Sequence, residues 1–249
     1  MGKLDGKVAI ITGAGNGMGA STTQLFVEEG AKVVAVDIMA GSLDKYLSNE
    51  NILPIYANLL VNEDIEKIVS STIEKFGKVD ILCNIAGIND LCKTMQETDE
   101  RLWDRVVDID LKAPYMLSKR VVEEMEKNSD GVILNIGSYA AVRGNHGPSY
   151  TAAKHGVVGL TMSMAVGLIQ KGIRTNCINP GPVNTNIGAN SGGDYSADGF
   201  NIIGYTSSMP TTKYIEPVEI AKAALFLCCD DSKFINGAIL PVDNGQSCC

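Results

Sequence analysis

Histidine occurs only twice in the 249 residues and tryptophan once. With two histidines and no cluster at ligand spacing, no metal site is expected. Seven cysteines are present, yet none forms a C-x-x-C pair: Cys83, Cys92 and Cys177 stand apart, and Cys228/Cys229 and Cys248/Cys249 are adjacent. Adjacent cysteines make poor tetrahedral ligands and an odd count leaves a disulfide framework incomplete, so reduced thiols are expected. Basic residues are also scarce. Lys plus Arg number 21 against 29 Asp plus Glu, a net charge of -8. No basic run offsets that balance, so nucleic acid is not an expected partner. No run of about 18 apolar residues occurs, and no membrane span is expected. The opening Met1–Lys7 leads into a strand without the apolar stretch of a signal peptide, which places the expected location in the cytoplasm. No Pro-rich linker or shift in composition divides the chain. At 45% apolar and 20% charged residues it has the composition of a chain that buries a core, here as one domain.

What is present is a regular alternation. Apolar, β-branched runs recur at Val8–Thr12, Lys32–Asp37, Ile52–Ala57, Val79–Asn84, Gly131–Ser138, Arg174–Asn179 and Ala238–Val242. Their near-continuous apolarity suits strands covered on both faces, as in a parallel sheet. Between them lie helical patterns. In Asp64–Phe76, Ile65, Ile68, Val69, Thr72, Ile73 and Phe76 share one face and Glu66, Lys67 and Glu74 the other. Further helices are expected over 18–29, 100–127, 149–171 and 217–229. Strand and helix in alternation predict an α/β fold of the Rossmann type, a doubly wound parallel sheet flanked by helices. The stretch 186–213 breaks the pattern. It is rich in Gly, Ser and Asn, carries Tyr195, Phe200, Ile202, Ile203, Tyr205 and Met209, and reads as a substrate lid.

The first turn reads Thr12-Gly-Ala-Gly-Asn-Gly-Met-Gly19 between a strand and a helix. Glycines here let the backbone approach a pyrophosphate, whose charge the helix N-terminus stabilises. Gly13, Asn16, Gly17, Met18 and Gly19 are the expected contacts. Asp37 ends the next strand, where a carboxylate accepts hydrogen bonds from a ribose diol and repels a 2′-phosphate. Asn16 and Ile38 supply no cation for that phosphate, so NAD is expected rather than NADP.

Tyr150 and Lys154 are four residues apart at the start of a helix and share its face. An ammonium beside a phenol favours phenolate, lowering a pKa that starts near about 10. Such a tyrosine suits general acid/base work on an alcohol–ketone pair. Ser138 closes a strand at the sheet's C-terminal edge, where its hydroxyl can hold the substrate oxygen. His146 lies between them, equally suited to touching substrate or to an exposed loop. His155 points off the catalytic face. Trp103 suits the core or a subunit interface.

With these motifs in place, the whole chain resembles the single-domain short-chain dehydrogenases/reductases. The resemblance rests on Thr12–Gly19, Asn84-Ile-Ala-Gly87, Ser138, Tyr150/Lys154, Asn179-Pro-Gly-Pro-Val-Asn-Thr185 and Gly237…Val242-Asp-Asn-Gly245. It implies that Tyr150 is the acid/base, that Lys154 tunes it and binds the nicotinamide ribose, and that Ser138 orients substrate. It also implies Asn58 and Leu59 beside the adenine, Asn84, Ala86 and Gly87 beside the cofactor, and Val183 and Thr185 at the carboxamide. A homodimer or homotetramer follows from the same resemblance, with the helices at 100–127 and 149–171 forming the dimer face. Three positions depart from the family's pattern: Ile85 replaces an Asn, Asn58 replaces an Asp, and Asp110 stands where a fourth catalytic residue, Asn, is usual. The expected activity is interconversion of a secondary alcohol and its ketone, a hydroxysteroid or similar hydrophobic alcohol fitting the apolar lid. The alternatives are an NADPH-dependent carbonyl or 3-oxoacyl reductase, and a non-catalytic NAD-binding protein.

Overall fold

The computed structural model describes residues 2–206 and 214–248; Met209 and the side chains of Ile202, Ile203 and Tyr205 lie outside that description. The strands are β1 (Val8–Thr12), β2 (Lys32–Asp37), β3 (Ile52–Tyr56), β4 (Ile81–Asn84), β5 (Gly131–Ile136), β6 (Ile173–Pro180) and β7 (Ile239–Val242). They form one sheet in the order β3-β2-β1-β4-β5-β6-β7, every pairing parallel. The helices are α1 (Gly17–Glu28), α2 (Asn62–Phe76), α3 (Glu100–Val107), α4 (Ala113–Met125), α5 (Pro148–Leu168), α6 (Ile187–Ser191), α7 (Ala197–Thr206) and α8 (Pro217–Cys228). This is the doubly wound α/β fold expected.

Alternate residues of each strand feed two cores, as the period of two requires. Ile11, Val33, Ala35, Leu134 and Ile178 face Phe26 of α1 and Ile220, Ala224 and Leu227 of α8. Ile10, Val34, Leu82 and Ile133 face Ile65, Ile68 and Val69 of α2 and Leu117, Val121 and Met125 of α4. β1 lies between β2 and β4, so the strand order reverses at its C-terminal end and opens a crevice there. Thr12 holds that crevice together: its hydroxyl accepts from Ile85 N at 2.9 Å and from Ala86 N at 3.0 Å.

Two elements differ from the sequence expectation. The helix over 100–127 is interrupted by a π turn, Asp108–Lys112, joining α3 to α4. The stretch 186–213 contains two short helices, because small and polar residues conceal a local helical preference rather than abolish it. Of the two places expected for Trp103, core or subunit interface, its 40% exposure sets aside the core. α5, with its following turn, also passes for a membrane-spanning helix by length and composition, although the sequence has no unbroken apolar run. Its inner face is engaged with the protein: Tyr150, Ala153, Lys154, Val157, Thr161 and Ala165 are buried.

Leu134 is fully buried in β5 at the centre of the sheet. Leu134→Ala should cost about 2–5 kcal/mol of stability, read from the shift of the urea midpoint at unchanged slope.

Candidate active site

The turn after β1 has the shape that its glycines suggest. Gly13 and Gly17 adopt φ of 67° and 52°, the left-handed region that side chains avoid. A Cβ on Gly19 would lie 2.1 Å from Gly13 O, so the helix can start this close to the strand only without one. Asn16 caps α1 without a side-chain hydrogen bond, which leaves the first-turn N–H groups directed at the crevice. Asp37 stands beside this turn. One carboxylate oxygen accepts from Gly15 N and the other from Met39 N, both at 2.9 Å. A glycine cradle, uncapped helix dipole and adjacent carboxylate fit a dinucleotide.

A cavity of about 380 Å³ runs along these groups. Its walls include Gly13, Asn16, Gly17, Met18, Gly19, Asp37, Asn58, Leu59, Ala86, Gly87 and Thr185, all expected cofactor contacts. Asn58 turns its side-chain oxygen to Leu60 N at 3.0 Å, an Asx turn that shapes the wall. Four expected cofactor contacts are not on the walls: Tyr150 and Lys154, which stand next to the cavity, and Asn84 and Val183. Asn84 is buried and donates to Ser118 Oγ at 3.1 Å and Asn135 Oδ1 at 2.9 Å, within the layer between sheet and helices. Val183 pairs with Ile215 in an isolated bridge.

Ser138, Tyr150, Lys154 and Asp110 gather next to this cavity, which Ile88 connects to them: it lines the wall and packs against Tyr150. Lys154 Nζ lies 5.5 Å from the centre of the Tyr150 ring and donates to Ile136 O at 3.1 Å. Asp110 Oδ2 is 3.2 Å from the same ammonium, and both side chains are buried. Its other oxygen accepts from Ile88 N at 2.9 Å. Burial alone would lower the Lys154 pKa, but the charge of Asp110 and the phenol of Tyr150 outweigh it and raise it. Asp110 itself is raised by burial, against the pull of Lys154.

Tyr150 corrects the expectation that the lysine brings its pKa down. Burial raises it, Lys154 lowers it, Asp110 raises it, the Ser138 hydroxyl lowers it and Asp90 raises it; the sum is upward. Sequence reasoning weighed the lysine and a charge on Asp110, but not the loss of water or Asp90.

His146 lies beside this group. Its ring centre is 5.1 Å from that of Tyr150, and Nε2 is 3.0 Å from Tyr139 Oη. Burial lowers its pKa, so it is a neutral wall of the site rather than a cation. His155 turns outward to Thr151 O. The first part of the lid is fastened down: Asn89 Nδ2 donates to Tyr195 Oη at 3.0 Å and Arg105 to Ser191 O at 2.8 Å.

Comparison with known proteins agrees with this geometry. Residues 13–247 match the family model described as enoyl-(acyl carrier protein) reductase. A 3-oxoacyl-(acyl-carrier-protein) reductase of Thermotoga maritima is 34% identical, covering 98% of each chain. The chain belongs to the short-chain dehydrogenases/reductases. A 3beta-hydroxysteroid dehydrogenase of Eggerthella lenta is also 34% identical, over 98% of this chain and 96% of that one. Among solved structures, a 3-ketoacyl-(acyl-carrier-protein) reductase of Brucella melitensis complexed with NADH superposes with a TM-score of 0.86 at 31% identity, covering 98% and 99% of the two chains. As a short-chain dehydrogenase/reductase the protein is an oxidoreductase that binds a nicotinamide cofactor.

Within this short-chain dehydrogenase/reductase, sequence reasoning missed four neighbours of the site. Lys45 reaches from a 3₁₀ turn to Gly15 O at 2.6 Å, a cation at the cofactor turn. Arg105 and Asn190 line the cavity. The carboxylate of Asp90 meets the first turn of α5. None sits inside a motif, and only the tertiary fold brings them in.

Asp110→Asn removes a negative charge near the ammonium and the phenol. The phenol should then ionise at lower pH, moving the limb of the kcat/KM profile for alcohol oxidation to lower pH. The rate at the optimum should stay within about tenfold. An unmoved limb would show that Asp110 carries no charge during turnover.

Proposed function

We propose that this enzyme interconverts a secondary alcohol and its ketone with NAD, the alcohol being hydrophobic and of the hydroxysteroid kind. One observation carries the reading: Tyr150, Ser138 and Lys154 converge beside a cavity whose far wall holds Asp37. A carboxylate at that wall suits the diol of an NAD ribose and disfavours a 2′-phosphate. The bound dinucleotide supplies the hydride acceptor or donor.

The chain's own part is to bind, orient and move one proton. Ser138, two residues past β5, caps the 3₁₀ turn that follows by accepting from Ala140 N and offers its hydroxyl to the substrate oxygen. Tyr150 donates a proton to that oxygen in reduction and takes it back in oxidation. Lys154, held by Ile136 O and Asp110, stabilises the phenolate when the proton has left.

A second reading, reduction of a 3-oxoacyl thioester, is supported by the resemblance to the Thermotoga maritima and Brucella melitensis reductases. Lys45 at the cofactor turn is the feature that would suit NADPH. Initial rates with steroid alcohols, small secondary alcohols and acetoacetyl thioesters, each with both cofactors, separate the two.

The assembly proposed is a homodimer or homotetramer. Tyr115 of α4 and Met162 and Val166 of α5 leave apolar surface exposed, 80% in the case of Val166, on the helices that would meet a second copy. Gly156 of α5 is occupied within the chain, because a Cβ there would lie 2.6 Å from Leu111. A cytoplasmic location, with no membrane or nucleic-acid partner, completes the proposal.

Tyr150→Phe should remove a factor of about 10²–10⁴ from kcat and leave dinucleotide affinity, measured by NADH fluorescence, nearly intact. Near-normal turnover would exclude Tyr150 as the acid/base. The double change Asp37→Ala with Ile38→Arg should raise the NADP to NAD ratio of kcat/KM by about tenfold or more. A native enzyme that already prefers NADP would overturn the cofactor assignment.

A further inference from the structure

The helix that carries Tyr150 lacks a capping side chain of its own. Its N-cap is Gly147, and no side-chain hydrogen bond closes that position locally. The closure comes from across the fold. Asp90 Oδ2 accepts from Tyr150 N at 2.9 Å and from Ser149 Oγ at 3.2 Å, over a separation of 60 and 59 residues. The approach depends on the glycine: a Cβ on Gly147 would lie 2.3 Å from Asp90 Oδ2.

Asp90 is fully buried, and its carboxylate is met by N–H and O–H donors. Its second oxygen accepts from Cys92 N at 3.2 Å. Leu91 and Cys92, which follow it, adopt φ of 56° and 55°, the left-handed region, in two consecutive residues that bear side chains. Asn89 Oδ1 holds Leu91 N at 3.0 Å, so this backbone is kept in place by the two side chains before it. The loop is thus built around presenting a carboxylate to the start of α5.

We infer that Asp90 is a positioning residue for the reaction: it caps the catalytic helix from the β4–α3 loop, fixes where Tyr150 enters the site, and places a carboxylate at the first turn of the helix that carries the phenol. The inference rests on the proposed acid/base role of Tyr150. The groups facing that phenol are Lys154 on its own helix, Asp110 from the π turn, Ser138 and Tyr139 after β5, His146 and Asp90 from their loops, and Cys92 behind His146. Cys177 of β6 stands near Lys154. Asp110 pairs with the ammonium directly, while Asp90 holds the backbone of the residue that carries the phenol. This arrangement keeps the phenol protonated at neutral pH, the form needed to donate to a ketone oxygen, and moves alcohol oxidation to the alkaline side.

The test compares Asp90→Ala and Asp90→Asn with the native enzyme and with Tyr150→Phe. It reads kcat/KM in both directions against pH, with NADH affinity by fluorescence. Asp90→Ala should lose about tenfold or more in kcat while NADH affinity stays within about twofold. Asp90→Asn keeps one oxygen for Tyr150 N and Ser149 Oγ and gives up the charge and the bond to Cys92 N. It should recover most of the rate, with the oxidation limb moved down by about half a pH unit or more. An unmoved limb in Asp90→Asn, or a rate as low as that of Asp90→Ala, overturns the inference. Should the alanine variant fail to fold, the limb in Asp90→Asn decides alone. Full activity in Tyr150→Phe would instead remove the acid/base reading itself; an inert Tyr150→Phe beside an unmoved limb removes only the role of Asp90.

Discussion

A buried ammonium must be held by something that replaces its water, and the site is arranged around that requirement. Lys154 finds a carbonyl, Ile136 O, at the end of β5 and a carboxylate, Asp110, at the junction of α3 and α4. Those two contacts tie α5 to the sheet on one side and to a neighbouring helix on the other. Asp110 in turn secures the loop after Gly87 through Ile88 N. That loop is continuous with the Ile85–Ala86 backbone hung on the Thr12 hydroxyl. A chain of polar contacts thus links the lysine to the crevice where the strand order reverses. The cation and the cofactor turn are placed by one framework.

The parts of this arrangement that could be read from the sequence are those made by near neighbours in the chain. Gly13 to Gly19 declare a turn because their spacing is local, and Tyr150 and Lys154 declare a shared face because four residues make a helical turn. The sheet was legible for the same reason: each strand is a short apolar run closed by Asp, Asn or Gly. The π turn was not, since Asp108–Lys112 looks like ordinary amphipathic helix until the packing of Lys154 demands an extra residue. Neither was the destination of Asn84, whose motif suggests the cofactor but whose amide is used by Asn135 and Ser118. The part of the Tyr150 shift that comes from burial escaped notice because desolvation belongs to the folded whole and to no pair of residues. Lys45 and Asp90 were invisible on the same principle; their partners lie 30 and 60 residues away.

The relatives locate the chemistry more sharply than the substrate. A hydroxysteroid dehydrogenase and a 3-oxoacyl reductase stand at the same identity to this chain. The framework they share is the sheet, the turn and the tyrosine helix. What can differ is the surroundings of that tyrosine, here His146 held by Tyr139 and a following stretch fastened through Tyr195 and Ser191.

The π turn at Asp108–Lys112 has a consequence for how this chain can vary. In a regular helix Val106 and Leu117 would point in nearly the same direction, eleven residues being close to three turns. Here the wider turn offsets the register, and the two residues serve different cores: Val106 faces the Tyr150 cluster and Leu117 the sheet. Deleting one residue from the junction would rotate everything after it by roughly a quarter of a turn. The apolar stripe of α4 and the carboxylate of Asp110 would then lose their partners together. Over these five residues, a change of length is a graver matter than a change of side chain.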